Sequence, residues 1–167
     1  MAILDRHTLD FISHSLEQTH RLGVRLGALV SAGDLICLEG ELGTGKTCLA
    51  QGIGYGMGVV GPITSPSFVL VAEHRPSAAA PVLYHIDVYR LTSPAPEAWA
   101  IGLADYVSGD GVCVIEWADR IREALPAERL WITLRHMDET KRGITMVACG
   151  LHYDEMLHEF RESAFGL

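Results

Sequence analysis

The chain has 167 residues and a net charge of −8, with 13 Lys and Arg against 21 Asp and Glu. This length fits one domain, and the acidic balance disfavours direct binding to nucleic-acid backbones. About half of the residues are apolar (49%), and no stretch approaches the roughly 20 apolar residues of a membrane span. With polar residues at Asp5, Arg6 and Asp10 where a signal peptide would be apolar, we expect one cytoplasmic domain over residues 1–167, with no membrane partner.

The cysteines and histidines do not form a recognisable metal motif. Cys37, Cys48, Cys113 and Cys149 are widely separated, and the eight histidines show no HExxH spacing. We therefore expect free, mostly buried thiols and no metal site built on histidine.

The first predicted elements are a helix and a buried strand. Ser15 and Gln18 fit a capping box, and leucines at helical spacing follow, which predicts a helix over about 15–31 with Gly33 as its C′ residue. The apolar run 35–38 is bounded by glycines and predicts a strand buried on both faces.

A second helix is predicted from Lys46 to about Met57. Its three glycines, Gly52, Gly54 and Gly56, each cost about 1 kcal/mol relative to alanine. They predict close packing against a neighbour, or an early end of the helix.

The remainder of the chain continues to alternate strand and helix signals. In chain order these are strands at 68–72 and 82–87 joined by an exposed hairpin tip at 75–81, a short helix within 96–107, a buried strand at 112–115, a helix at 118–125, two half-buried strands at 130–134 and 144–149, and a helix at 151–160. This alternation predicts an α/β fold with three layers and a mainly parallel sheet, whose late strand pair runs antiparallel at an edge.

The turn between the first buried strand and the second helix carries the clearest motif. Its sequence from Gly40 to Thr47, GELGTGKT, matches GxxxxGK[ST] in the strand-to-helix context that a P-loop requires. Glycines let backbone N–H groups converge on phosphate oxygens at a helix N-terminus. Lys46, one of only two lysines in the chain, would reach the terminal phosphates, and the Thr47 hydroxyl would bind Mg²⁺.

Two carboxylates follow predicted strands. Asp87 ends the run 82–86 and Glu116 ends the run 112–115. Each alone could be an ordinary surface acid, but the carboxyl ends of parallel strands face the ligand in such folds, so together they favour a magnesium site. ATP is preferred to GTP because the chain has no NKxD element and no asparagine at all.

Four motifs in this order closely resemble the TsaE family, also called YjeE, over about residues 15–150. They are the segments 40–47, Thr64–Phe68, His85–Arg90 and Ile115–Trp117. The resemblance implies a P-loop NTPase fold and the bacterial ATPase of tRNA threonylcarbamoyladenosine biosynthesis, which acts with TsaB and TsaD on adenosine 37 of tRNAs that read ANN codons. The tRNA would be contacted only indirectly, through the complex. Residues 151–167 form a helical extension outside the match.

The resemblance also implies roles for particular residues. Lys46, Asp87 and Glu116 would be catalytic, and Thr47, Glu116 and Asp87 would hold magnesium. Thr19 would lie near the nucleotide base, and the Thr64–Phe68 segment would be a switch-like loop beside the γ-phosphate. Trp117 would be the aromatic residue that follows the acid, and a role as a packing anchor is the equally supported alternative for it. We further expect ATP binding and hydrolysis to switch the loop 61–68. The family often has Thr where Cys48 stands, so a phosphate contact there would use the backbone N–H. The complete expected nucleotide-binding set is Thr19, Glu41, Leu42, Gly43, Thr44, Gly45, Lys46, Thr47, Cys48, Thr64 and Trp117.

Two other functions remain open from the residues alone. A small-molecule kinase could use the same phosphate cradle, although the chain lacks a cluster of arginines for a lid. A nucleotide-dependent interaction subunit with incidental hydrolysis is the second alternative. Hydrolysis with and without TsaB and TsaD would distinguish this subunit from an autonomous enzyme, and we expect slow turnover by the protein alone.

Overall fold

The structure, a computed structural model, describes residues 5–66, 70–100 and 102–166. Within these ranges the elements are β1 (Thr8–Ser13), α1 (Leu16–Gly27), β2 (Leu35–Glu39), α2 (Lys46–Gly56), β3 (Val71–His74), β4 (Leu83–Asp87), α3 (Pro94–Ala100), α4 (Leu103–Val107), β5 (Val112–Glu116), a 3-10 segment (Ala118–Ala124), β6 (Arg129–His136), β7 (Arg142–Cys149) and α5 (Leu151–Phe165). None of the helices in these ranges is long and apolar enough to cross a membrane.

The described strands form one mixed sheet in the order β1-β7-β6-β2-β5-β4-β3. The four central strands, β6, β2, β5 and β4, run parallel, while β7, β1 and β3 pair antiparallel at the two edges. Parallel neighbours need crossover connections, which carry helices onto the sheet faces. The predicted α/β architecture, parallel in the centre with antiparallel edge strands, is confirmed.

Alternating side chains of the buried strands supply two separate cores. Ile36 and Leu38 of β2 belong to the core under α1, α2 and α5, whereas Leu35 and Cys37 belong to the core on the other face. All four cysteines are free, as predicted. Burial raises the pKa of the Cys37 thiol to about 12, so this side chain is a neutral packing group.

The helix glycines allow α1 and α2 to pack backbone to backbone. A Cβ added at Gly52 would lie 2.3 Å from the His20 carbonyl oxygen, and one at Gly56 would lie 2.1 Å from the Val24 carbonyl oxygen. These distances are shorter than any carbon side chain tolerates, so both positions require glycine. Of the two predicted explanations, close packing is therefore the correct one. It fixes the position of α2, and of the turn that precedes it, relative to α1.

The first helix begins as predicted but ends early. The Ser15 side chain accepts from the Gln18 N–H (3.0 Å), which is the first bond of the predicted capping box. The Gln18 side chain accepts from the N–H of His14, one residue before the cap, rather than from that of Ser15 (2.6 Å). The expected end at residue 31 is wrong, because α1 stops at Gly27 and the Asp34 carboxylate then accepts from the Ser31 N–H (2.8 Å) in a turn. Gly33 is not a helix cap but lies in the turn that leads into β2.

Several other predicted elements differ at their ends or in type. The helix expected within 96–107 is two short helices, with Gly102 (φ 85°) as the N-cap of the second. The segment 118–125 forms a 3-10 segment with a kink at Ile121 rather than an α-helix. The start of the strand expected at 68–72, and the end of the loop 61–68, lie outside the described residues. The edge strand β1 was not predicted, because exposed Ile12 obscures its alternation.

Candidate functional site

The glycine-rich turn of residues 40–45 connects β2, the central strand, to α2. Gly43 (φ 78°) and Gly45 (φ 104°) adopt a conformation that other residues rarely take. Gly40 is required for a different reason, since an added Cβ would lie 2.6 Å from the Leu134 carbonyl oxygen. The turn thus presents the first N–H groups of α2, which lack intrahelical partners and are suited to bind an anion.

The Lys46 side chain folds back along this turn. Its ammonium donates to the carbonyl oxygens of Gly40 (2.5 Å) and Glu41 (2.9 Å), and it lies 4.0 Å from the centre of the Trp117 ring. The residue is only 4% exposed. Burial lowers the pKa of the ammonium, and nearby carboxylates, of which Glu116 has the largest effect, oppose that shift. The site therefore contains a buried cation held by weak neutral acceptors, which a phosphate could replace.

Two acidic side chains end neighbouring parallel strands beside this cation. Asp87 at the end of β4 is in register with Glu116 at the end of β5, and both are buried. Glu116 accepts from the Thr47 hydroxyl (2.8 Å) through Oε1 and from His85 Nε2 (2.6 Å) through Oε2. Helix α2 and two strands therefore converge on one carboxylate.

Asp87 carries a negative charge that its surroundings only partly compensate. It accepts from the Tyr89 backbone N–H (2.9 Å) and from the Ser65 hydroxyl (3.4 Å). Burial raises the pKa of its carboxyl, the hydrogen bond from Tyr89 opposes this shift, and the nearby charge of Glu116 adds to it. Two neighbouring buried carboxylates form a place that favours a bound cation.

We expect Asp87→Asn to raise the melting temperature of the ligand-free protein at neutral pH, by on the order of 2–4 °C if the gain is about 1 kcal/mol. The folded-state pKa of Asp87 is raised, so its ionised form opposes folding above that pKa. This opposition disappears as the pH falls through the raised pKa, because the carboxyl becomes protonated. Asparagine keeps an acceptor for the Tyr89 N–H without the charge.

Thermal unfolding of both proteins at neutral pH and at successively lower pH values checks this expectation. The difference between them should shrink as the pH falls through the raised pKa of Asp87. A wild-type protein that is more stable than the variant at neutral pH would show that Asp87 is favourably paired in the folded chain.

A cleft of about 410 Å³ lies above these residues. Part of its wall is an aromatic pair, Tyr89 and Trp117, whose ring centroids are 4.6 Å apart. Trp117 has a φ of 61°, so the backbone turns sharply directly after Glu116. The described residues that line the cleft are Leu16, Leu42, Gly43, Gly45, Lys46, Thr47, Cys48, Ser65, Asp87, Tyr89, Arg90, Glu116 and Trp117.

Most of the predicted site residues lie together in this cleft. Glu41 and Thr44 instead line a second cleft on the other side of the turn, and the Thr44 hydroxyl donates to the Glu41 carbonyl (2.8 Å). The Cys48 thiol donates to the Leu16 carbonyl (3.2 Å), and burial raises its pKa, so it stays neutral. A backbone contact at Cys48, as predicted, is compatible with this arrangement.

Two predicted threonines are not among the described residues that line the cleft. The buried Thr19 hydroxyl lies within hydrogen-bonding distance of the Ser13 hydroxyl (2.7 Å) and the Ser15 carbonyl oxygen (3.2 Å). Its methyl group supports the turn, 3.8 Å from where a Cβ of Gly45 would lie. Thr64 is exposed, and Ser65 lines the cleft in its place. Direct nucleotide contacts by these two threonines stay predictions.

A protein-family model described as "Threonylcarbamoyl adenosine biosynthesis protein TsaE" matches residues 13–144. The chain belongs to the TsaE family. Three curated relatives, each named tRNA threonylcarbamoyladenosine biosynthesis protein TsaE, support this membership. The protein of Bacillus subtilis is 36% identical (86% of this chain, 87% of the relative), that of Treponema pallidum 40% (81% and 97%), and that of Streptomyces coelicolor 45% (77% and 89%).

The fold also agrees with a solved structure. The crystal structure of YdiB from Bacillus subtilis matches with a TM-score of 0.80 at 32% identity, covering 98% of this chain and 97% of that one. The family model ends before α5, whereas a structural match of this extent includes most of that helix. The resemblance to TsaE that the motifs indicated is confirmed.

Several residues of the TsaE site were not singled out from the sequence. Ser65 and Tyr89 contact Asp87, and Arg90 lines the cleft. Like these three residues, His85 lies within one of the motif segments and was assigned no role. It precedes Asp87 by two residues on the same strand. Because side chains of a strand alternate with a period of two, this spacing could have placed it on the face of the acids.

The hairpin between β6 and β7 supports the glycine-rich turn from the side. His136 Nε2 donates to the Leu42 carbonyl (3.1 Å), and the Arg142 guanidinium donates to the Gly43 carbonyl (3.3 Å). Arg142 is only 7% exposed and also donates to the Asp138 carbonyl (2.9 Å). Arg142 therefore braces the glycine-rich turn through a hydrogen bond to the backbone of the turn.

Proposed function

We propose that this protein is the Mg-dependent, ATP-binding and ATP-hydrolysing subunit required for threonylcarbamoyladenosine modification at position 37 of tRNAs that read ANN codons. The observation that carries the chemistry is the convergence of Lys46, Thr47, Asp87 and Glu116 at the carboxyl ends of the parallel strands. Membership of the TsaE family supports the assignment to threonylcarbamoyladenosine biosynthesis.

The glycine-rich turn fits a triphosphate. Gly43 (φ 78°) and Gly45 (φ 104°) adopt the backbone conformation that the turn requires. The residues that open α2, Lys46, Thr47 and Cys48, line the cleft, and the free N–H groups of a helix N-terminus are suited to bind phosphate. Lys46 supplies the cation for the terminal phosphates. Two of the three donors of its ammonium are taken by the Gly40 and Glu41 carbonyls, so only one is free for phosphate until these bonds break, which supports slow turnover by the isolated protein.

The oxygen donors fit magnesium. Mg²⁺ is commonly held by one or two carboxylates and a hydroxyl together with phosphate oxygens, so a cage of three acidic or histidine residues is not required. The Thr47 hydroxyl, Glu116 and Asp87 offer this donor set. When bound, the ion would neutralise charge on the phosphate oxygens. Asp87 and Glu116 would additionally accept hydrogen bonds from a water molecule and orient it.

The acidic surface supports a role through protein contacts. With a net charge of −8, the chain has no electrostatic reason to bind tRNA directly, and we propose that it acts through TsaB and TsaD. Release of Lys46 by contact with these partners would accelerate hydrolysis. ATP is the proposed nucleotide because the sequence lacks the guanine-reading NKxD element.

Reconstituted modification of tRNA tests this function. Purified TsaB, TsaD and the other components of the reaction, with tRNA and ATP, should form threonylcarbamoyladenosine over repeated turnovers only when this protein is added. Hydrolysis of ATP should be slow for the protein alone and faster with TsaB and TsaD. Full modification without this protein would refute the role, and ATP consumption that required a nucleoside or sugar would favour the small-molecule kinase.

A further inference from the structure

The buried histidine His85, on strand β4, contacts the carboxylate of Glu116, one of the two acids proposed to bind magnesium. His85 lies on β4 in register with Val114 and is fully buried. Its Nε2 is 2.6 Å from Glu116 Oε2. Its other ring nitrogen, Nδ1, has no hydrogen-bond partner among the described residues, so the polar contact that the ring makes there is with Glu116.

The direction of this hydrogen bond follows from the other partner of the carboxylate. Glu116 Oε1 already accepts from the Thr47 hydroxyl (2.8 Å), and an ionised carboxylate can only accept. His85 must therefore donate through a proton on Nε2. Because each oxygen accepts from a different donor, rotation of the carboxylate about the Cγ–Cδ bond would break both hydrogen bonds. The orientation of the carboxylate is therefore fixed, with Oε1 beside the Thr47 hydroxyl.

A packing role alone does not explain a histidine at this position. Leu83, two residues earlier on the same face of β4, is apolar and equally buried. Burying an imidazole with one unpartnered nitrogen costs free energy that an apolar side chain would avoid. The hydrogen bond to Glu116 is the interaction that offsets the cost of burying a histidine at this position.

We propose that His85 is a positioning residue, which orients Glu116 for magnesium by donating from Nε2. This inference rests on the proposed function, because it assigns Glu116 to the metal. Partners that orient a metal-binding side chain commonly change metal affinity or activity by 10–100-fold. The same range is expected here.

Calorimetry of ADP binding with EDTA and with excess Mg²⁺ measures this effect directly. The increase in ADP affinity that Mg²⁺ causes should fall by about 10–100-fold in His85→Leu, while the affinity in EDTA stays within about twofold of the wild type. His85→Gln should recover most of the increase, because its amide nitrogen can reach the position of Nε2. His85→Asn, whose donor is too short to reach Glu116, should behave like His85→Leu.

The outcomes separate this inference from the proposed function. A wild-type protein that binds no adenine nucleotide under either condition would refute the proposed function itself. A wild type that gains affinity with Mg²⁺, together with a His85→Leu variant that gains as much, would refute the positioning role alone. Failure of His85→Gln to recover more than His85→Asn would also contradict it.

A measurement on the wild type covers the case in which His85→Leu does not fold. In NMR spectra of protein labelled with ¹⁵N-histidine, His85 should show a solvent-protected proton bound to Nε2. This signal should be absent from the otherwise similar spectrum of His85→Gln. A His85 ring with no proton on Nε2 would overturn the proposal.

Discussion

Lys46→Ala should reduce ATP hydrolysis by roughly 10²–10³-fold, the usual cost of removing one fixed donor from developing negative charge. Lys46 is the lysine of the cleft, and its ammonium lies between the glycine-rich turn and the two acids. The variant also loses a charge-assisted hydrogen bond to phosphate, so nucleotide affinity should fall as well. Steady-state hydrolysis with TsaB and TsaD present, and calorimetry with ATP, measure the two losses.

The chain provides a matched control because it has one other lysine. Lys141 is exposed at the tip of the β6–β7 hairpin, where it pairs with Asp138 (3.9 Å). Lys141→Ala removes the same charge from the chain but not from the cleft, so hydrolysis should stay within about twofold of the wild type. Normal hydrolysis by Lys46→Ala would refute the assignment of the nucleotide site.

Glu116→Gln should lower hydrolysis by a similar factor of roughly 10²–10³ and remove most of the effect of Mg²⁺ on nucleotide affinity. The substitution takes away the charge that would bind the ion. It also places an amide that can face the His85 N–H or the Thr47 hydroxyl, both of which now donate to a carboxylate. Affinity for ADP without magnesium should change little.

The exposed Glu123 of the 3-10 segment supplies the control for this variant. Glu123→Gln makes the same chemical change outside the cleft and should leave hydrolysis within about twofold. A Glu116→Gln protein that binds ATP normally but is trapped on TsaB and TsaD would favour the nucleotide-dependent interaction subunit. Unchanged hydrolysis would remove Glu116 from the mechanism.

Local patterns were sufficient for the elements that carry the chemistry. The apolar run at 35–38, the glycine-rich turn and the helix from Lys46 follow from short-range preferences that tertiary contacts reinforce. At the end of the first helix the periodic leucines predicted too long a helix. Helix α1 ends at Gly27, and the Asp34 side chain forms a turn with Ser31, an interaction that helical periodicity does not reveal.

The edge of the sheet depended on a long-range contact. Strand β1 exists because its backbone pairs with β7, more than 120 residues away, along the register Thr8–Val147 to Ser13–Arg142. No local pattern contains that partner. Local periodicity also did not reveal that residues 118–124, which follow the sharp turn at Trp117, form a 3-10 segment with a kink at Ile121 instead of the predicted α-helix.

The sequence by itself determined the glycine-rich turn, the two acids at strand ends and the family, because each depends on residue types at short, fixed spacings. Only the tertiary structure decided that Lys46 rests on the carbonyls of its own turn, that Arg142 braces that turn, and that His85 donates to Glu116. These contacts join residues on different strands and loops. Their geometry depends on sheet order and strand register, which no single stretch of sequence encodes.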